Sequence, residues 1–538
     1  MKELIFAILF SLIFTSAFAQ VTQEWASIYN DPSNSNDAAQ LIASDIAGNI
    51  YVTGSSWNTE LNRDITTIKY NSSGVLQWAQ RYNAPGDGID DPTSLAVDPS
   101  GNVYVAGVSD GIGSGQDFIT IKYNTFGVQE WVQRFNGSGN NNDIAKSICI
   151  NSSGNICVTG SSTANSYVEI VTLQYNPAGN LIWLSRYNGS GIKNAYVFNI
   201  TSDNADNIYV AGGVDGDSAG RTDYAVIKYN SSGVQQWVQT YTGPYPGFNL
   251  AYHIKVVQGN VYVTGVSNGP GISDYATVKY NSAGVRQWVQ RYNGNQNQDD
   301  QVTGLAVDNS GNVYVTGYSF RGNERSDYAT LKYNSNGEVQ WLRIYKGPAD
   351  LYDYAYGIAL DNAGNIYVTG QSDGISSSRD CATIKYDPDG NEKWIQRYNG
   401  PANNFDGAQA ILTDNNGNVY VTGMTWGNQN DFVTIKYSQQ TGVNPIGGSI
   451  PTQFSLKQNY PNPFNPVTKI NYDIPDGNFV SLKVYDVVGN EVETLVNERQ
   501  HAGSYSVTFN AANSTSGVYF YKLVTEGFSE TKKMLLVK

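Results

Sequence analysis

The sequence has 538 residues, of which 55 are glycine and 39 tyrosine, and only 15% are charged. This length exceeds one ordinary domain, and the composition is typical of many short strands joined by tight turns. The net charge of −14, with no run of Lys or Arg, excludes a phosphate backbone as the natural partner, because nucleic-acid binders need a basic face.

The chain begins with a predicted secretory signal peptide, residues 1–19. It has Lys2, an apolar run from Leu4 to Phe14, and Ala-Phe-Ala immediately before Gln20. The apolar run is too short to remain as a membrane span, and no other long apolar run follows. We therefore expect a mature protein without a transmembrane span that first enters the periplasm.

Two motifs recur with a nearly constant spacing. The motif GNIYVTG, or a close variant, begins at residues 48, 101, 154, 206, 259, 311, 364 and 417. A second motif, DITTIKY or a close variant, ends at Tyr70, Tyr123, Tyr175, Tyr229, Tyr280, Tyr333, Tyr386 and Tyr437. A period of 52 or 53 residues predicts a repeat architecture.

Each repeat is predicted to form four strands. In the second repeat the strands are TSLAVD, NVYVAG, DFITIKY and VQEWVQRF, separated by Gly, Asn, Asp and Ser. Apolar residues occur on both strand faces, so each small sheet should be covered on both sides. Four-stranded units repeated radially form a β-propeller. A solenoid is the alternative, although solenoid repeats are usually shorter.

One tryptophan strand is displaced to the start of the chain. A Trp follows each of the first seven Lys-Tyr motifs, at Trp78, Trp131, Trp183, Trp237, Trp288, Trp341 and Trp394. None follows Tyr437, whereas the opening segment QEWASIYN, residues 23–30, contains Trp25 without a partner strand. We predict that this N-terminal strand closes the last blade of an all-β, eight-bladed propeller.

The repeat resembles the bacterial β-propeller repeat family called SBBP. The resemblance covers roughly residues 23–437 and depends on the Asp-x-x-Gly-Asn-hydrophobic-Tyr-Val-Thr-Gly core. It implies a propeller found in exported proteins. It implies no single activity, because propellers host many functions.

The composition changes after a linker, residues 438–453. Residues 454–538 contain about seven short predicted strands, as in a small Ig-like β-sandwich. Five motifs, QNYPNPFNP, VYDVVGNEV, AGSYSVTF, SGVYFYKL and KKMLLVK, resemble the type A sorting domain of type IX secretion. The motif residues that we single out are Asn459, Pro461, Asn462, Pro463, Gly489, Gly503, Gly517, Lys532 and Lys533.

This resemblance implies a route of export. The signal peptide would deliver the chain to the periplasm, and the secretion machinery would recognise the folded tail. A surface sortase commonly removes such a tail, and the propeller, residues 20–437, would then be released or attached to the outer-membrane surface. An accessory Ig-like domain that stays on the protein is the alternative.

The three cysteines include one facing pair. Cys149 and Cys157 flank the turn in SICINSSGNIC, and the previous repeat has Ala96 and Tyr104 in these places. A cross-strand disulfide and two small buried residues are the two interpretations. Cys381 has no evident mate.

The sequence contains no recognised catalytic constellation, so we do not predict an enzyme. The only histidines are His253, expected in an inner strand, and His501, and neither lies near a nucleophile motif. No zinc, phosphate-loop or CxxC motif is present, and no cofactor is predicted. Calcium at the Asp-rich loops is the alternative, although no twelve-residue calcium loop supports it.

Aspartates that recur in nearly every repeat are interpreted as scaffold, because an active site is normally asymmetric. One set begins the Lys-Tyr strands: Asp64, Asp117, Asp223, Asp274, Asp327, Asp380 and Asp431. A second set suits the turn before Gly-Asn: Asp98, Asp308 and Asp361.

The connections on one face of the ring are long and differ between blades, whereas the turns on the opposite face are short and uniform. The variable segments are residues 55–63, 214–222, 240–252, 318–326 and 346–356. Variable loops on a rigid scaffold often carry binding. The candidate ligand-binding residues are Trp57, Tyr245, Phe248, Phe320, Tyr352 and Trp426. Lids packed over the blade ends are the alternative interpretation.

These observations predict a secreted or surface-attached monomer that acts as a binding or scaffold module. Its partners would be the type IX secretion machinery and an extracellular glycan or protein. The alternative is a secreted propeller hydrolase or lyase acting on polysaccharide, because paired carboxylates suffice for glycoside chemistry and Asp is plentiful. Two non-repeated carboxylates beside an aromatic platform would favour the enzyme.

Overall fold

The computed structural model describes residues 21–59, 62–164, 167–189, 194–216, 220–270, 272–294, 297–322, 325–439, 444–445, 451–500, 502–511 and 514–538. The predicted signal peptide and much of the predicted linker lie outside these residues. The chain divides into two compact units, Gln23–Tyr437 and residues 438–538. We call the first the propeller unit and the second the tail unit.

The propeller unit is built from eight four-stranded antiparallel sheets. Their inner strands are β2 (Asp37–Ser44), β6 (Asp90–Val97), β10 (Asp143–Ile150), β14 (Ala195–Ser202), β18 (Asn249–Val257), β22 (Asp300–Val307), β26 (Asp353–Leu360) and β30 (Asp406–Thr413). The second strands are β3 (Ile50–Thr59), β7 (Val103–Asp110), β11 (Ile156–Ala164), β15 (Ile208–Asp215), β19 (Asn260–Asn268), β23 (Val313–Phe320), β27 (Ile366–Asp373) and β31 (Val419–Trp426).

The third strands contain the Lys-Tyr motifs: β4 (Asn62–Tyr70), β8 (Gln116–Tyr123), β12 (Tyr167–Tyr175), β16 (Thr222–Tyr229), β20 (Ser273–Tyr280), β24 (Ser326–Tyr333), β28 (Arg379–Tyr386) and β32 (Asn430–Gln439). The outer strands contain the tryptophans: β1 (Val21–Tyr29), β5 (Leu76–Tyr82), β9 (Gln129–Phe135), β13 (Leu181–Tyr187), β17 (Gln235–Tyr241), β21 (Arg286–Tyr292), β25 (Val339–Tyr345) and β29 (Glu392–Tyr398). We number the sheets 1 to 8 by their inner strands.

The inner strands form a closed cycle of contacts. Each inner strand contacts the inner strand of the next sheet, and β30 of sheet 8 contacts β2 of sheet 1. Sheet 8 has the strand order β1-β32-β31-β30, so the N-terminal strand is its outer strand. The all-β propeller fold and the placement of residues 23–30 beside 431–437 are therefore confirmed.

The turn between inner and second strands is fixed by one aspartate. In sheet 2, the Asp98 carboxylate accepts the backbone N–H groups of Ser100 and Asn102, both at 2.9 Å. Its other oxygen accepts the Asn102 amide at 2.7 Å and the Tyr104 hydroxyl at 3.2 Å. Asp308 and Asp361 make the same bonds in sheets 6 and 7. These aspartates serve as turn scaffold.

The outer-strand tryptophans connect each sheet to the next. Seven indole N–H groups donate to a backbone carbonyl in the turn between the third and fourth strands of the following sheet. For Trp25 in sheet 8, the following sheet is sheet 1. The pairs, at 3.1–3.3 Å, are Trp25 to Ser72, Trp78 to Thr125, Trp131 to Pro177, Trp183 to Ser231, Trp237 to Ser282, Trp288 to Ser335 and Trp341 to Pro388. The eighth indole, Trp394, has no acceptor within the described part of the chain. Its counterpart turn would follow Tyr437, where β32 runs on into the linker.

A glycine in each of these turns gives the indole its space. Gly74 has φ +77° beside Trp25, and a Cβ there would lie 2.5 Å from the ring. The Trp25 ring also lies 6.4 Å from Tyr70 of sheet 1 and 6.1 Å from Tyr420 of sheet 8, centroid to centroid. Trp25 therefore joins the two ends of the repeat array. The glycine is required both for its left-handed backbone and for the close approach of the ring.

Repeated carboxylates hold the third strands. Arg81 pairs with Asp64 at 2.5 Å, Arg134 with Asp117 at 2.8 Å, and Arg397 with Asp380 at 2.8 Å, each within one sheet. The aspartates are almost fully buried. The same pair recurs in different sheets, so these residues are scaffold, as the sequence indicated.

A second set of buried carboxylates begins six of the inner strands: Asp37, Asp90, Asp143, Asp300, Asp353 and Asp406. The carboxylate of Asp300, for example, accepts the Gly294 N–H at 2.7 Å. Burial, reinforced by the nearby Asp274 and Asp299, raises the pKa of Asp300 to about 6, and burial also raises the pKa of Asp37 to about 6. Sheet 5 has Asn249 at the same register position.

The tail unit consists of two four-stranded sheets around one core. The first has β33 (Asn444–Pro445), β38 (Gly503–Asn510), β35 (Val467–Ile474) and β34 (Ser455–Leu456), and the second has β37 (Glu491–Gln500), β36 (Asn478–Tyr485), β39 (Gly517–Val524) and β40 (Ser529–Leu536). Ile470 and Phe509 of the first sheet share the core with Leu482 and Tyr521 of the second.

Replacing Trp25→Ala should lower the free energy of unfolding by about 2–4 kcal/mol, because the change removes a large aromatic ring packed between two sheets. Chemical denaturation of the mature chain measures this loss. Gln23→Ala, an exposed change on the same strand, is the control and should have little effect. Equal stability of the Trp25→Ala variant and the control would contradict ring closure through this residue.

Asp300→Asn should stabilise the protein at pH 7.5 by roughly 1–3 kcal/mol. Because the pKa of Asp300 is raised, the charged carboxylate destabilises the folded state at neutral pH. This destabilisation is lost as the pH falls through about 6 towards 4. The wild type should therefore gain stability between pH 7.5 and 5, and the variant should gain less. The exposed change Asp389→Asn is the control. Thermal unfolding across this pH range would contradict the account if Asp300→Asn is destabilising and leaves the pH dependence unchanged.

Candidate functional site

The six aromatic residues singled out in the sequence all lie towards the face of the long connections. Trp57, Phe320 and Trp426 were predicted in loops, but this was wrong, because β3, β23 and β31 continue through them. Alternation along the strand turns their side chains away from the neighbouring core positions. Tyr352 immediately precedes β26, and Tyr245 and Phe248 lie in the connection before β18, with 42% and 60% of their surface exposed.

One backbone hydrogen bond recurs at this level of every sheet. The last or near-last residue of the second strand donates its N–H to the carbonyl of the residue just before the inner strand: Trp57 to Asn36, Asp110 to Ile89, Thr163 to Asn142, Asp215 to Asn194, Asn268 to Phe248, Phe320 to Asp299, Asp373 to Tyr352 and Trp426 to Phe405. Three of the six candidates, Trp57, Phe320 and Trp426, therefore occupy the donor position in different sheets, and two more, Phe248 and Tyr352, occupy the acceptor position. The backbone repeats at this level, whereas the side chains differ.

The structure brings Phe320 and Tyr352 into one group of rings shared by sheets 6 and 7, which we call the aromatic cluster. It contains Tyr318, Phe320, Tyr352, Tyr354 and Tyr356. Tyr354 is central: its ring centroid lies 4.8 Å from Tyr318, 6.4 Å from Phe320, 5.9 Å from Tyr352 and 6.4 Å from Tyr356. Tyr352 and Tyr354 are nearly parallel, at 10°, and Tyr354 and Tyr356 are inclined by 22°. All five side chains are half-buried.

Polar groups border the aromatic cluster. The Arg379 guanidinium carbon lies 5.5 Å from the Tyr352 centroid and 5.1 Å from that of Tyr354. Arg379 is held by Asp373, whose carboxylate accepts its Nε at 3.1 Å and also accepts the Tyr352 N–H at 3.1 Å. Burial, with smaller contributions from Tyr356 and Asp299, raises the pKa of Tyr318 to about 12. The Tyr318 hydroxyl therefore remains a hydrogen-bond donor at any ordinary pH.

The other candidates lie in separate sheets. Trp426 lines a concavity of about 440 Å³ together with Pro401, Ala402 and Asp431. The Trp57 ring in sheet 1 faces the guanidinium of Arg63 at 5.7 Å. The structure therefore offers one cluster of several rings and several isolated aromatic positions on this face.

The histidine and the cysteine pair singled out in the sequence lie within strands of the propeller unit. His253 lies inside β18, as predicted, and burial, with the nearby Lys255, lowers its pKa to about 4. Cys149 and Cys157 face each other across β10 and β11, and both are free thiols, which is the unbridged alternative. Among the described residues, no group of three or more His, Cys, Asp or Glu could hold a metal ion.

Hydrogen bonds of Asn459 hold the sorting motif of the tail unit against its core. The Asn459 N–H donates to the Tyr521 hydroxyl at 2.8 Å, and the Asn459 side chain donates to the Thr468 hydroxyl at 2.9 Å and to the Pro461 carbonyl at 3.1 Å. Gly489 closes the DVVGN turn with φ +94°. Gly503 and Gly517 begin β38 and β39, and Lys532 and Lys533 lie on β40. The three glycines of the motif therefore sit at a turn or a strand start, whereas the two lysines lie within a strand.

Comparison with protein families supports both parts of this description. The model of the secretion system C-terminal sorting domain matches residues 458–538. The model of the beta-propeller repeat, SBBP, matches five stretches: residues 33–62, 77–113, 287–319, 340–375 and 393–429. The chain carries SBBP-type propeller repeats and a C-terminal sorting domain. The sorting domain indicates export by the type IX system to the cell surface or the extracellular space.

Individual relatives are distant. A WD repeat-containing protein of Acanthamoeba polyphaga mimivirus is 24% identical over 530 residues, covering 74% of this chain. The chain spans only 37% of the length of that relative.

In the described ranges there is no helix with the length and apolar character needed to cross a membrane.

Solved structures with a similar fold include three enzymes. A fungal alcohol oxidase in complex with copper is 14% identical, with a TM-score of 0.41 over 97% of this chain and 100% of its own. A polysaccharide lyase is 12% identical, with a TM-score of 0.42 over 66% and 92%. An α-L-arabinofuranosidase from Fusarium graminearum is 9% identical, with a TM-score of 0.36 over 64% and 92%. At these TM-scores the three structures carry no functional argument.

Sequence reasoning missed Tyr318, Tyr354, Tyr356 and Arg379. Tyr354 and Tyr356 had been assigned to a long connection, whereas they belong to β26. The signal was the alternation Tyr352-x-Tyr354-x-Tyr356, which places three rings on one side of a strand. Comparison with other repeats adds to this signal, since sheet 1 has Ala38 and Gln40 in the register of Tyr354 and Tyr356.

Proposed function

We propose that this protein is an exported binding or scaffold module that holds an extracellular ligand on the face of the long connections. A sortase would remove the tail unit after export, leaving the propeller unit released or attached to the cell surface. The observation that carries the proposal is the aromatic cluster. It is a non-repeated, half-buried group of rings on a scaffold whose other features repeat from sheet to sheet.

In this molecule, contacts that recur from sheet to sheet belong to the scaffold, and groups of side chains that occur once are candidates for a site. The tryptophan contacts, the Asp turns and the Asp–Arg pairs recur because every sheet needs them to stand beside its neighbour. At the cluster positions the other sheets have a variety of residues, for example Ala38, Asp91 and Gly407 in the register of Tyr354, so the scaffold does not require an aromatic ring there. Side chains that a fold does not need, placed together on its variable face, support a role in binding.

The carboxylates beside the cluster support binding rather than catalysis. Asp373 is engaged by Arg379 and by the Tyr352 N–H, and Asp110 accepts the Ile89 N–H in the same way in sheet 2. Asp299 accepts the Gln301 amide at 2.9 Å. A hydrolase or lyase would need two carboxylates poised towards substrate, whereas these two are bound to neighbouring protein groups. We therefore favour a non-enzymatic module over the polysaccharide-degrading alternative.

A binding screen tests the proposed face. The mature full chain is applied to arrays of glycans and of extracellular proteins, and any ligand is measured again with Phe320→Ala. We expect at least tenfold weaker binding, because the change removes one ring of the cluster. Val234→Ala, an exposed change beside a uniform turn on the opposite face, is the control and should bind normally. The proposal is wrong if Val234→Ala weakens binding and Phe320→Ala leaves it unchanged.

Deleting residues 454–538 should leave the protein in the periplasm of a type IX-secreting host, because the deletion removes the sorting domain. Cell fractionation with immunodetection measures the location. In a complementary arm, residues 438–538 fused to a periplasmic reporter should carry that reporter to the cell surface or the medium. Normal secretion of the deletion variant would contradict the assigned route.

A further inference from the structure

The inner strands carry a second asymmetry that bears on the ligand. Each inner strand has a β-bulge at its fourth residue. The bulged residues are Gln40, Thr93, Lys146, Phe198, Tyr252, Thr303, Tyr356 and Gln409. Bulges turn a side chain out of the regular alternation and often mark functional positions. Aromatic residues occupy the bulge in sheets 4, 5 and 7, and the remaining sheets have polar residues there.

Sheets 4 and 5, which carry two of the aromatic bulges, come directly before sheets 6 and 7 around the ring. Phe198 and Tyr252 meet edge to face, with centroids 4.8 Å apart. Tyr252 of sheet 5 in turn packs against the buried hydrophobic residues that include Val302 of sheet 6. Aromatic side chains at the bulges or in the cluster thus occur in four consecutive sheets, 4 to 7.

Charge at the cluster is already balanced. Arg379 and Asp373 neutralise each other, and the guanidinium occupies a position over the rings of Tyr352 and Tyr354. A cationic ligand would find this cation–π position taken and would meet a like charge. An anionic ligand would approach Asp299 and a protein of net charge −14. A neutral ligand avoids both costs.

The chemistry of the surface narrows the neutral ligands further. Flat tyrosine faces offer apolar area, and tyrosine hydroxyls, the Arg379 N–H groups and the Gln301 amide offer hydrogen bonds at the rim. A pyranose ring has the matching combination of an apolar face and an edge of hydroxyl groups. We propose that the aromatic cluster, with Tyr252 and Phe198 as its extension, binds a neutral polysaccharide chain. This inference rests on the proposed binding function and names its ligand class.

Affinity gel electrophoresis of the mature full chain tests the inference. The gels contain neutral probes (hydroxyethyl cellulose, glucomannan, xylan and soluble starch) or the anionic probe alginate. We expect at least one neutral probe to retard the protein, and Tyr354→Ala to weaken that retention at least tenfold. Gln40→Ala is the matched control, since Gln40 has the bulge position of Tyr356 in β2 of sheet 1 and lies outside the cluster and its extension. It should change retention less than twofold.

Two further variants keep the test decisive. Tyr354→Phe retains the ring and should keep most of the binding, and Phe320→Ala replaces Tyr354→Ala if that variant unfolds. Arg379→Gln should weaken a neutral probe less than fivefold, whereas it would abolish binding of an anion held by this cation. Retention that is unchanged in Tyr354→Ala overturns the inference, as does retention by alginate alone or by none of the probes. A protein ligand found in the array screen would then leave the proposed function standing, whereas no ligand in either experiment would end both.

Discussion

The contact between an outer-strand tryptophan and the turn of the next sheet is the interaction on which the propeller unit depends. Each four-stranded sheet exposes apolar residues on both faces and gains stability only when neighbours cover them. The indole of Trp78, for instance, packs between Tyr51 of its own sheet and Tyr123 of the next, at 6.1 Å from each. Its N–H also satisfies a carbonyl in the neighbouring turn. Because the turn must admit a flat ring, a Cβ at Gly127 would lie 2.7 Å from the indole and would force the ring or the turn to shift.

The same constraint explains the sequence period and the pairing of the first and last strands of the propeller unit. A repeat can vary where it does not touch its neighbour, and it must keep its tryptophan, tyrosines and turn glycine where it does. The array also needs a partner for its last third strand, and β1 supplies it, with Lys436 of β32 paired to Glu24 of β1 at 2.7 Å. Closure therefore joins residues separated by more than four hundred positions, and the ring is complete only when both ends are present.

The sequence was most informative where the structure repeats. Strand order, the displaced tryptophan strand and the Asp turns could be predicted because eight copies of one pattern make a small signal unmistakable. The site was less predictable, since it consists of departures from that pattern. Phe320 and Tyr352 were recognised as candidates, but Tyr354 and Arg379 were not, because Tyr354 falls in a segment predicted as a connection and Arg379 begins a third strand, just before the recurring motif. Their proximity arises only when sheets 6 and 7 stand side by side.

Backbone hydrogen exchange in β1 tests the central claim, closure of the ring by the N-terminal strand, most directly. Exchange measured by mass spectrometry on the native mature chain reports the protection of residues 21–29 against that of the other outer strands, such as β5 and β9. If β1 is hydrogen-bonded to β32 and held by Trp25, its amides should be protected to a similar degree as those strands. Exchange of β1 at the rate of an unstructured segment, with β5 and β9 protected, would contradict the account.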